Sequence, residues 1–376
     1  MTIENSGNKV VEYKLSQGAS TSLDLIRVIA AQMVLIGHAW SFFKLFPRMS
    51  PPTGPYIQNI GVVVFFILSG FLISYSTLRK RQRLPNYSFK DFFIERFARI
   101  YAGFLPALLF VTILDSIQLY VMHNSYPYKS AFNLQYLIGN LLMLQDFPLA
   151  NLLKKIGYDL HLQISSFGSA RPFWTVAVEW WMYMFFGWLL LGRKSHAKPV
   201  FLCVLLLFTI VPLWNLAGRG NGLTLVWFMG VGITGILLRY NPYKPNHQKY
   251  LVGSLIAAAL AVARLATNKY EALDPLFALL LSGALLFLII GIKNMTISTR
   301  ANKIIKFMAD YSFTLYLIHY TVVATMTFWL KDSSPRYLFM GAILLCNGLA
   351  AFIAYYTEMH HRSLARFIKL YIPEKI

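Results

Sequence analysis

Long apolar segments alternate with short polar segments along almost the whole of this 376-residue chain. About ten of the apolar segments are long enough to cross the roughly 30 Å hydrocarbon core of a bilayer as α-helices. The pattern therefore predicts an all-α, polytopic membrane protein with about ten transmembrane helices. The predicted helices lie near residues 23–45, 59–78, 100–122, 173–192, 199–217, 223–238, 250–267, 275–292, 308–330 and 337–357.

The apolar stretch 132–147 is short for a full crossing, and the distribution of positive charge indicates how to interpret it. Lys and Arg collect in the cytoplasmic loops of membrane proteins. With this stretch not crossing and a cytoplasmic N-terminus, 23 of the 35 Lys and Arg residues lie on the cytoplasmic side and 10 on the opposite side. A crossing here would invert every later loop. We therefore predict a re-entrant or interfacial helix at 132–147 and cytoplasmic N- and C-termini.

Composition excludes an ordinary soluble domain, because 57% of the residues are hydrophobic, 13% are charged and the mean hydropathy is +0.52. The net charge of +20 is mostly a cytoplasmic topology signal, so nucleic acid is not an expected partner. We predict a cytoplasmic tail at 1–22, a membrane domain at 23–357 and a second cytoplasmic tail at 358–376. Residues 1–22 are polar, and we expect no cleavable signal peptide. Cys203 and Cys346 lie in apolar runs, so neither a disulfide nor a thiol metal centre is expected.

The first predicted helix carries two ionisable side chains, Arg27 and His38. Eleven helical residues turn through about 1100°, which is about 20° more than three full turns, with a rise of about 16 Å. Both side chains therefore lie on one stripe of the helix, the arginine near one membrane face and the histidine near mid-bilayer. Such groups are costly inside a membrane unless they face a polar cavity, so the pair indicates chemistry within the membrane.

The cytoplasmic loop after the second predicted helix carries two more arginines, Arg96 and Arg99. Phe93, Phe97 and Ile100 recur at helical spacing and predict an interfacial helix that leads into the third membrane helix. Arg96 and Arg99 are three residues apart and lie on one face of this interfacial helix. Paired guanidinium groups bind phosphate well, which suits a nucleotide-containing donor. The alternative is a topology anchor whose side chains reach the lipid headgroups.

Other polar residues lie inside predicted helices. Ser69 and Gly70 predict a close helix approach with a hydrogen bond across helices, or simple small-residue packing. Glu179 must pair, become protonated or face water, so it either binds substrate, orients a histidine, transfers a proton or makes a structural hydrogen bond. Asp115 is a weaker candidate for the same polar cavity. His319 is expected near mid-membrane, where a structural histidine is the more common case.

The order and placement of these residues resemble the acyltransferase-3 family of integral membrane acyltransferases over roughly residues 20–357. Each motif is weak alone, whereas the combination is specific. The shared features are Arg27 with His38, Ser69-Gly70-Phe71, Arg96-Phe97-Ala98-Arg99, Phe173-Trp174-Thr175 with Glu179, and Tyr311-Ser312, Tyr316-Leu317 and His319.

The resemblance implies a ten-helix enzyme of the bacterial inner membrane that moves an acyl group, usually acetyl from acetyl-coenzyme A (acetyl-CoA), to a sugar hydroxyl. The acceptor would be a surface or exported glycan, such as lipopolysaccharide, or a lipid-linked sugar, and no metal cofactor is expected. Some members of the family carry an extracytoplasmic esterase-like domain, which we do not expect in this chain. Either direct transfer or a partner protein of polysaccharide synthesis would then serve.

The same resemblance suggests roles for the buried polar residues. The arginine pair would hold the phosphates of the donor, and Arg27 would bind the pyrophosphate or orient the thioester. His38 would act as general base or accept the acetyl group itself. Ser69 or nearby backbone N–H groups would stabilise the developing oxyanion. Glu179 would bind or orient the acceptor.

Two other kinds of function stay open from the sequence. A secondary transporter also uses ionisable residues at mid-membrane, although the chain has no self-similar halves. A non-catalytic subunit of a polysaccharide synthesis complex predicts that replacing His38 changes assembly and leaves acyl transfer intact. A chain that passes acetyl to a partner transferase is a variant of the enzyme hypothesis. Direct sugar O-acylation is the hypothesis that we favour.

Overall fold

The computed structural model describes most of the chain between residues 15 and 371. Positions 1–14 of the expected N-terminal tail and 372–376 of the expected C-terminal tail lie outside the described residues. The described ranges are 15–45, 52–145, 147–148, 153, 157, 163–194, 197–216, 222–239, 247–292 and 297–371.

The described part of the chain is built from α-helices and short 3₁₀ turns, without a strand. This confirms the all-α fold class. The α-helices are α1 (Gln17–Phe43), α2 (Ile57–Arg83), α3 (Phe89–Met122), α4 (Leu134–Leu141), α5 (Phe173–Leu191), α6 (Lys198–Leu216), α7 (Leu223–Arg239), α8 (His247–Thr267), α9 (Pro275–Gly291), α10 (Thr299–Asp310), α11 (Ser312–Trp329), α12 (Pro335–Tyr356) and α13 (His361–Tyr371).

Each of the ten predicted segments contains an apolar helix, so the polytopic membrane architecture is confirmed. By length and composition, six spans are suited to crossing a membrane: α1, α2, α3, α6, α8 and α12, the last continuing to Tyr371. Helices α7 and α9 are apolar and shorter, at 17 residues each, or about 26 Å. The count of ten crossings and the cytoplasmic termini stay predictions.

Two helices begin earlier than their apolar patterns, because a serine caps each of them. The Ser16 hydroxyl accepts a hydrogen bond from the Ala19 N–H at 3.1 Å, which starts α1 six residues before the predicted position. Ser88 and Asp91 form a reciprocal capping box at the start of α3. The expected interfacial helix is therefore the first part of one continuous helix and not a separate element.

The predicted helix 308–330 is in fact two helices, α10 and α11, which meet at Tyr311. The first turn of α11 has N–H groups without partners inside the helix. The Glu358 carboxylate, from the 3₁₀ turn after α12, accepts hydrogen bonds from the Thr314 N–H at 2.9 Å and the Thr314 hydroxyl at 2.7 Å. A carboxylate at this end also complements the helix dipole. Glu358 thus defines the start of α11.

The apolar stretch 132–147 contains only the eight-residue helix α4, apart from residue 146, which lies outside the described residues. Eight residues rise about 12 Å, which is too short to cross a bilayer. This length agrees with the predicted re-entrant or interfacial helix.

Helices α2 and α7 cross in direct contact at a pair of glycines, Gly70 and Gly230. A Cβ at Gly70 would overlap the backbone carbonyl of Trp227, and a Cβ at Gly230 would overlap that of Ile67. Ser74 and Thr234 also hydrogen-bond across this seam at 2.7 Å. Gly70, the small residue next to Ser69, therefore allows α2 and α7 to pack closely, as the sequence predicted.

Gly70→Ala should lower the thermal unfolding temperature in detergent by several degrees, because the new methyl group has to push α7 away from α2. Gly235→Ala, on the exposed side of α7 where a Cβ meets open space, is the matched control. Ala is the better helix former, so the control should match or exceed the wild type. Equal melting of the two variants would contradict the close-contact interpretation.

Candidate active site

Five of the six predicted site residues line one cavity of about 190 Å³, here called the inner cavity. Helices α1, α2, α3, α5 and α11 all contribute to its wall. Apolar side chains make up much of the remaining lining, together with the hydroxyls of Thr175, Tyr183 and Tyr316. The predicted residues in this wall are Arg27, Ser69, Arg96, Arg99 and Glu179.

A chain of hydrogen bonds ends on Glu179. The indole N–H of Trp227 donates to the Ser69 hydroxyl at 3.1 Å, and that hydroxyl lies 2.9 Å from the Tyr183 hydroxyl. Tyr183 in turn donates to the Glu179 carboxylate at 2.5 Å. Since each group uses its one proton in the same direction, the carboxylate is held as an acceptor in the cavity wall.

The three arginines of the inner cavity differ in their ionic partners. Arg27 contacts Asp24 at 3.1 Å, and Arg99 contacts Glu358 at 2.6 Å. Arg96 has no carboxylate within 4 Å among the described residues, and its buried Nε has no hydrogen-bond partner there. Arg96 is therefore the arginine whose guanidinium is available to an anionic ligand.

The Arg99–Glu358 pair is anchored inside the protein. The Glu358 side chain is fully buried, whereas 29% of the Arg99 side chain is exposed. Because the second Glu358 oxygen accepts both hydrogen bonds from Thr314, the ion pair joins α3 to the start of α11. Residue 358 was predicted to begin a cytoplasmic tail, but its side chain belongs to the packed core of the site.

His38, the sixth predicted residue, is not in the wall of the inner cavity. Its ring centroid lies 5.2 Å from that of His319 and 5.1 Å from that of Tyr320, both on α11. The Nδ1 of His319 lies 2.8 Å from the backbone carbonyl of Tyr316, so Nδ1 carries the proton and donates it. The other ring nitrogen, Nε2, is buried and has no hydrogen-bond partner among the described residues.

Tyr316 separates the inner cavity from the two histidines. It lines the cavity, and its ring centroid lies 6.0 Å from that of His319 and 5.6 Å from that of Phe65. Its hydroxyl is held 2.5 Å from that of Thr175, which donates to the backbone carbonyl of Pro172. Arg27 and His38 therefore share one helix, but Arg27 lines the inner cavity whereas His38 packs against His319 and Tyr320.

A second cavity of about 410 Å³, here called the basic cavity, adjoins the inner one through two shared residues, Arg96 and Arg99. Glu95 is its one acidic lining residue among the residues that the structure describes. Nearby, Tyr87 donates to Glu95 at 2.9 Å. Burial and this carboxylate hold the pKa of Tyr87 well above its usual range, so it stays a donor. The lining residues are Lys80, Glu95, Arg96, Arg99, His361, Arg362, Ala365, Arg366 and Lys369.

Asp115 lies outside both cavities. It accepts hydrogen bonds from the Ser169 N–H at 2.7 Å and the Ser169 hydroxyl at 2.8 Å. That hydroxyl also lies 2.8 Å from the Thr321 hydroxyl on α11. Gly168, with φ of +53°, brings the backbone against the Asp115 carboxylate, where a Cβ would overlap it. Asp115 therefore holds the segment before α5 against α3 and α11.

No group of three or more His, Cys, Asp or Glu side chains within the described ranges is arranged to hold a metal ion. The cation-lined cavities are instead suited to an organic anion such as a phosphate ester. The groups able to contact such a ligand are mainly guanidinium groups, with the Glu179 carboxylate and several hydroxyls deeper in the wall.

Comparison with known proteins agrees with this arrangement. The model of the acyltransferase-3 family, described as an acyltransferase domain, matches residues 20–359, which is nearly the whole chain. The chain belongs to the acyltransferase-3 family. Its apolar helices and this membership together identify an integral membrane protein of an acyltransferase family.

Two curated relatives match parts of this family member. An O-acetyl transferase of Shigella phage Sf6 is 27% identical over 203 residues, which is 52% of each protein. Nodulation protein 10 of Rhizobium leguminosarum bv. viciae is 35% identical over 103 residues, which is 26% of this chain and 24% of the relative. The matches thus span about half or less of these relatives. No solved structure matches the chain significantly.

Sequence reasoning did not select several residues of this acyltransferase-family site. Tyr183 and Trp227 complete the hydrogen-bond chain to Glu179, and Glu358 holds Arg99. The first two were hidden among the many aromatic residues of the chain. Glu358 directly follows the last apolar segment, where a carboxylate has no need to be buried. Its partner, Arg99, is 259 positions away in the sequence, so no local sequence pattern could predict the contact.

Glu358→Gln should lower the stability of this family member in detergent, because it leaves the Arg99 guanidinium without its carboxylate. Breaking a fully buried ion pair costs about 3–5 kcal/mol, and we expect about 2 kcal/mol here because Arg99 is partly exposed. A thermal unfolding curve measures the effect. The exposed Glu271→Gln is the control, and equal melting of the two variants would show that the pair adds no stability.

Proposed function

We propose that this protein transfers an acetyl group from acetyl-CoA to a hydroxyl of a surface or exported glycan in the bacterial inner membrane. The family membership and the phage relative's name, O-acetyl transferase, support the chemistry. The observation that carries the proposal is the arginine-lined inner cavity, which joins a basic cavity at one end and approaches a histidine pair at the other. An anionic donor and a buried base are the two requirements of this reaction.

The donor phosphates occupy the basic end of the site, at Arg96 and Arg99. Arg96 offers a guanidinium with no carboxylate partner in the described chain. Arg99 is held in place by Glu358 and presents its remaining donors to both cavities. The apolar wall of the inner cavity then receives the pantetheine arm, and Arg27, which lines the same cavity as the arginine pair, binds the diphosphate end.

His38 activates the acceptor in this mechanism. As a neutral base it takes the proton of the sugar hydroxyl, and the hydroxyl oxygen attacks the thioester carbonyl carbon. The C–S bond breaks and the proton passes to the CoA thiolate, so the products are an O-acetyl sugar and free CoA. The alternative route forms a covalent acetyl-histidine first and then transfers the acetyl group to the sugar, and it gives the same two products. In either route the acetyl end has to pass Tyr316 to reach His38.

Glu179 and Ser69 act in the inner cavity, where they lie beside the donor arginines and away from His38. The Glu179 carboxylate accepts hydrogen bonds from N–H or O–H groups of the bound substrates. The Ser69 hydroxyl, which accepts from Trp227 and gives its own proton to Tyr183, helps to hold Glu179 in this acceptor state. This placement supports a binding role for Glu179 more than a role as a base next to His38.

His319 acts as a positioning residue for His38. Its donated bond to the Tyr316 carbonyl leaves Nε2 as an acceptor, and the His38 ring is the nearest aromatic neighbour in the described structure. The packed His319 ring restricts the orientation of the His38 imidazole, whose acceptor-facing nitrogen has to be unprotonated to act as a base.

The test of the mechanism is acyl transfer from radiolabelled acetyl-CoA to a crude bacterial glycan extract by purified protein in vesicles. His38→Ala should lower the rate at least about 100-fold, since general base catalysis contributes about 10²–10⁴-fold. The exposed His360→Ala is the matched control and should retain the wild-type rate. Monodisperse elution checks that each variant is folded.

Equal label transfer by wild type and a folded His38→Ala would remove His38 from the mechanism. Transfer by neither protein across several extracts, with acetyl-CoA still bound, would favour a subunit that needs a partner transferase. Movement of an intact solute across the vesicle membrane would favour the transporter.

His319→Ala should lower kcat about 10-fold or more and leave KM for acetyl-CoA unchanged, because His319 acts through His38 and does not touch the donor. The double variant His38→Ala/His319→Ala should be no slower than His38→Ala alone, since residues that act as a unit are not additive. A further loss in the double variant, equal to that of His319→Ala alone, would show that His319 acts independently.

A further inference from the structure

The last described helix, α13, supplies part of the basic cavity, although it follows the whole membrane domain. It packs against α3 and contributes His361, Arg362, Ala365, Arg366 and Lys369 to the lining. Arg362, Arg366 and Lys369 recur at spacings of four and three residues and therefore lie on one face of the helix. Part of the segment that we predicted to be a second cytoplasmic tail thus belongs to a cation-lined wall.

The cations of the basic cavity are not all neutralised. Lys369 contacts Asp91 at 2.7 Å and Glu95 at 3.7 Å, and Lys80 contacts Glu95 at 2.6 Å. By contrast, Arg362 and Arg366 have no carboxylate within 4 Å in the described part of the chain, and Arg366 donates only to the Ser363 hydroxyl at 3.3 Å. With Arg96, three guanidinium groups remain available in one cavity, which is typical of a phosphate site.

The order of the cavities matches the order of the groups in a CoA thioester. Arg96 and Arg99 line both cavities, whereas Arg362 and Arg366 line only the basic one. In CoA, the diphosphate follows the pantetheine arm directly, and the 3′-phosphate of the adenosine lies beyond it. A thioester arm in the inner cavity therefore puts the diphosphate at the shared arginines and the 3′-phosphate at α13.

We propose that Arg362 and Arg366 of α13 form a site for the 3′-phosphate of the CoA donor. This rests on the proposed function, because it takes a CoA thioester as the donor. The site explains why two arginines without carboxylate partners lie beside the donor entrance. It also makes the chain select a CoA thioester over thioesters that carry the same arm without the nucleotide 3′-phosphate.

The test is equilibrium binding of CoA and of 3′-dephospho-CoA to the full chain in nanodiscs of zwitterionic phosphatidylcholine, measured by calorimetry. Wild type should bind CoA at least about 10-fold more tightly than 3′-dephospho-CoA, as expected for charge-assisted hydrogen bonds. Arg362→Gln/Arg366→Gln should bind CoA as weakly as wild type binds 3′-dephospho-CoA. Its affinity for 3′-dephospho-CoA should equal that of wild type.

Two further variants control for charge and folding. Arg300→Gln/Lys303→Gln removes two exposed cations from α10, which does not line the basic cavity, and should leave both affinities unchanged. Arg362→Lys/Arg366→Lys keeps the charge without the planar donor pair and should recover part of the preference for CoA. Monodisperse elution and wild-type binding of 3′-dephospho-CoA show that the Gln variant is folded.

Equal loss of affinity for both ligands in the Gln variant, or no loss for either, would overturn the 3′-phosphate site. A lipid headgroup is the other source of the same phosphate chemistry. If wild type binds the two ligands equally, and anionic phosphatidylglycerol in the disc raises the melting temperature of wild type but not of the Gln variant, the site binds lipid and the proposal is wrong. Absence of binding of either ligand to wild type would instead refute the donor itself, and with it the proposed function.

Discussion

One buried carboxylate, that of Glu358, determines the geometry of the site. It pairs with Arg99 on α3 at 2.6 Å and caps the start of α11 through two hydrogen bonds from Thr314. The α11 helix begins there, and Tyr316 and His319 follow within its first two turns. The same contact therefore fixes an arginine at the junction of the two cavities and sets the depth of the residues that close the inner one.

The proposed reaction has two opposite needs, and the structure places the residues that would meet them apart from each other. In the proposed reaction guanidinium groups have to meet a charged nucleotide, and Arg96 and Arg99 lie where the inner and basic cavities join. The proposed base, His38, lies beyond the aromatic ring of Tyr316 and packs against His319 and Tyr320. If His38 shared one cavity with the arginines, water and counter-ions would reach the proposed reacting centre.

Much of the fold was predictable because membrane helices satisfy their backbone internally and must be apolar over a fixed length. The ten apolar segments all became helices, and the short stretch that contains α4 did not become a long one. The errors lie at helix ends. Ser88 and Asp91 extended α3 by a capping box, and Glu358 divided the predicted helix 308–330 in two. A helix cap formed by neighbouring residues can be predicted from the sequence, whereas a cap supplied by a distant residue cannot.

The sequence by itself determined which residues cannot be left in lipid, since a charged or strongly polar side chain in an apolar run needs a polar environment. That rule selected Arg27, His38, Ser69 and Glu179. Only the tertiary structure decided which of them meet, because two residues on one helix stripe separate once other helices pack against it. Arg27 faces the arginine-lined cavity and His38 faces His319. The reason is physical: helix periodicity orients a side chain, and the packing of neighbouring helices decides what it contacts.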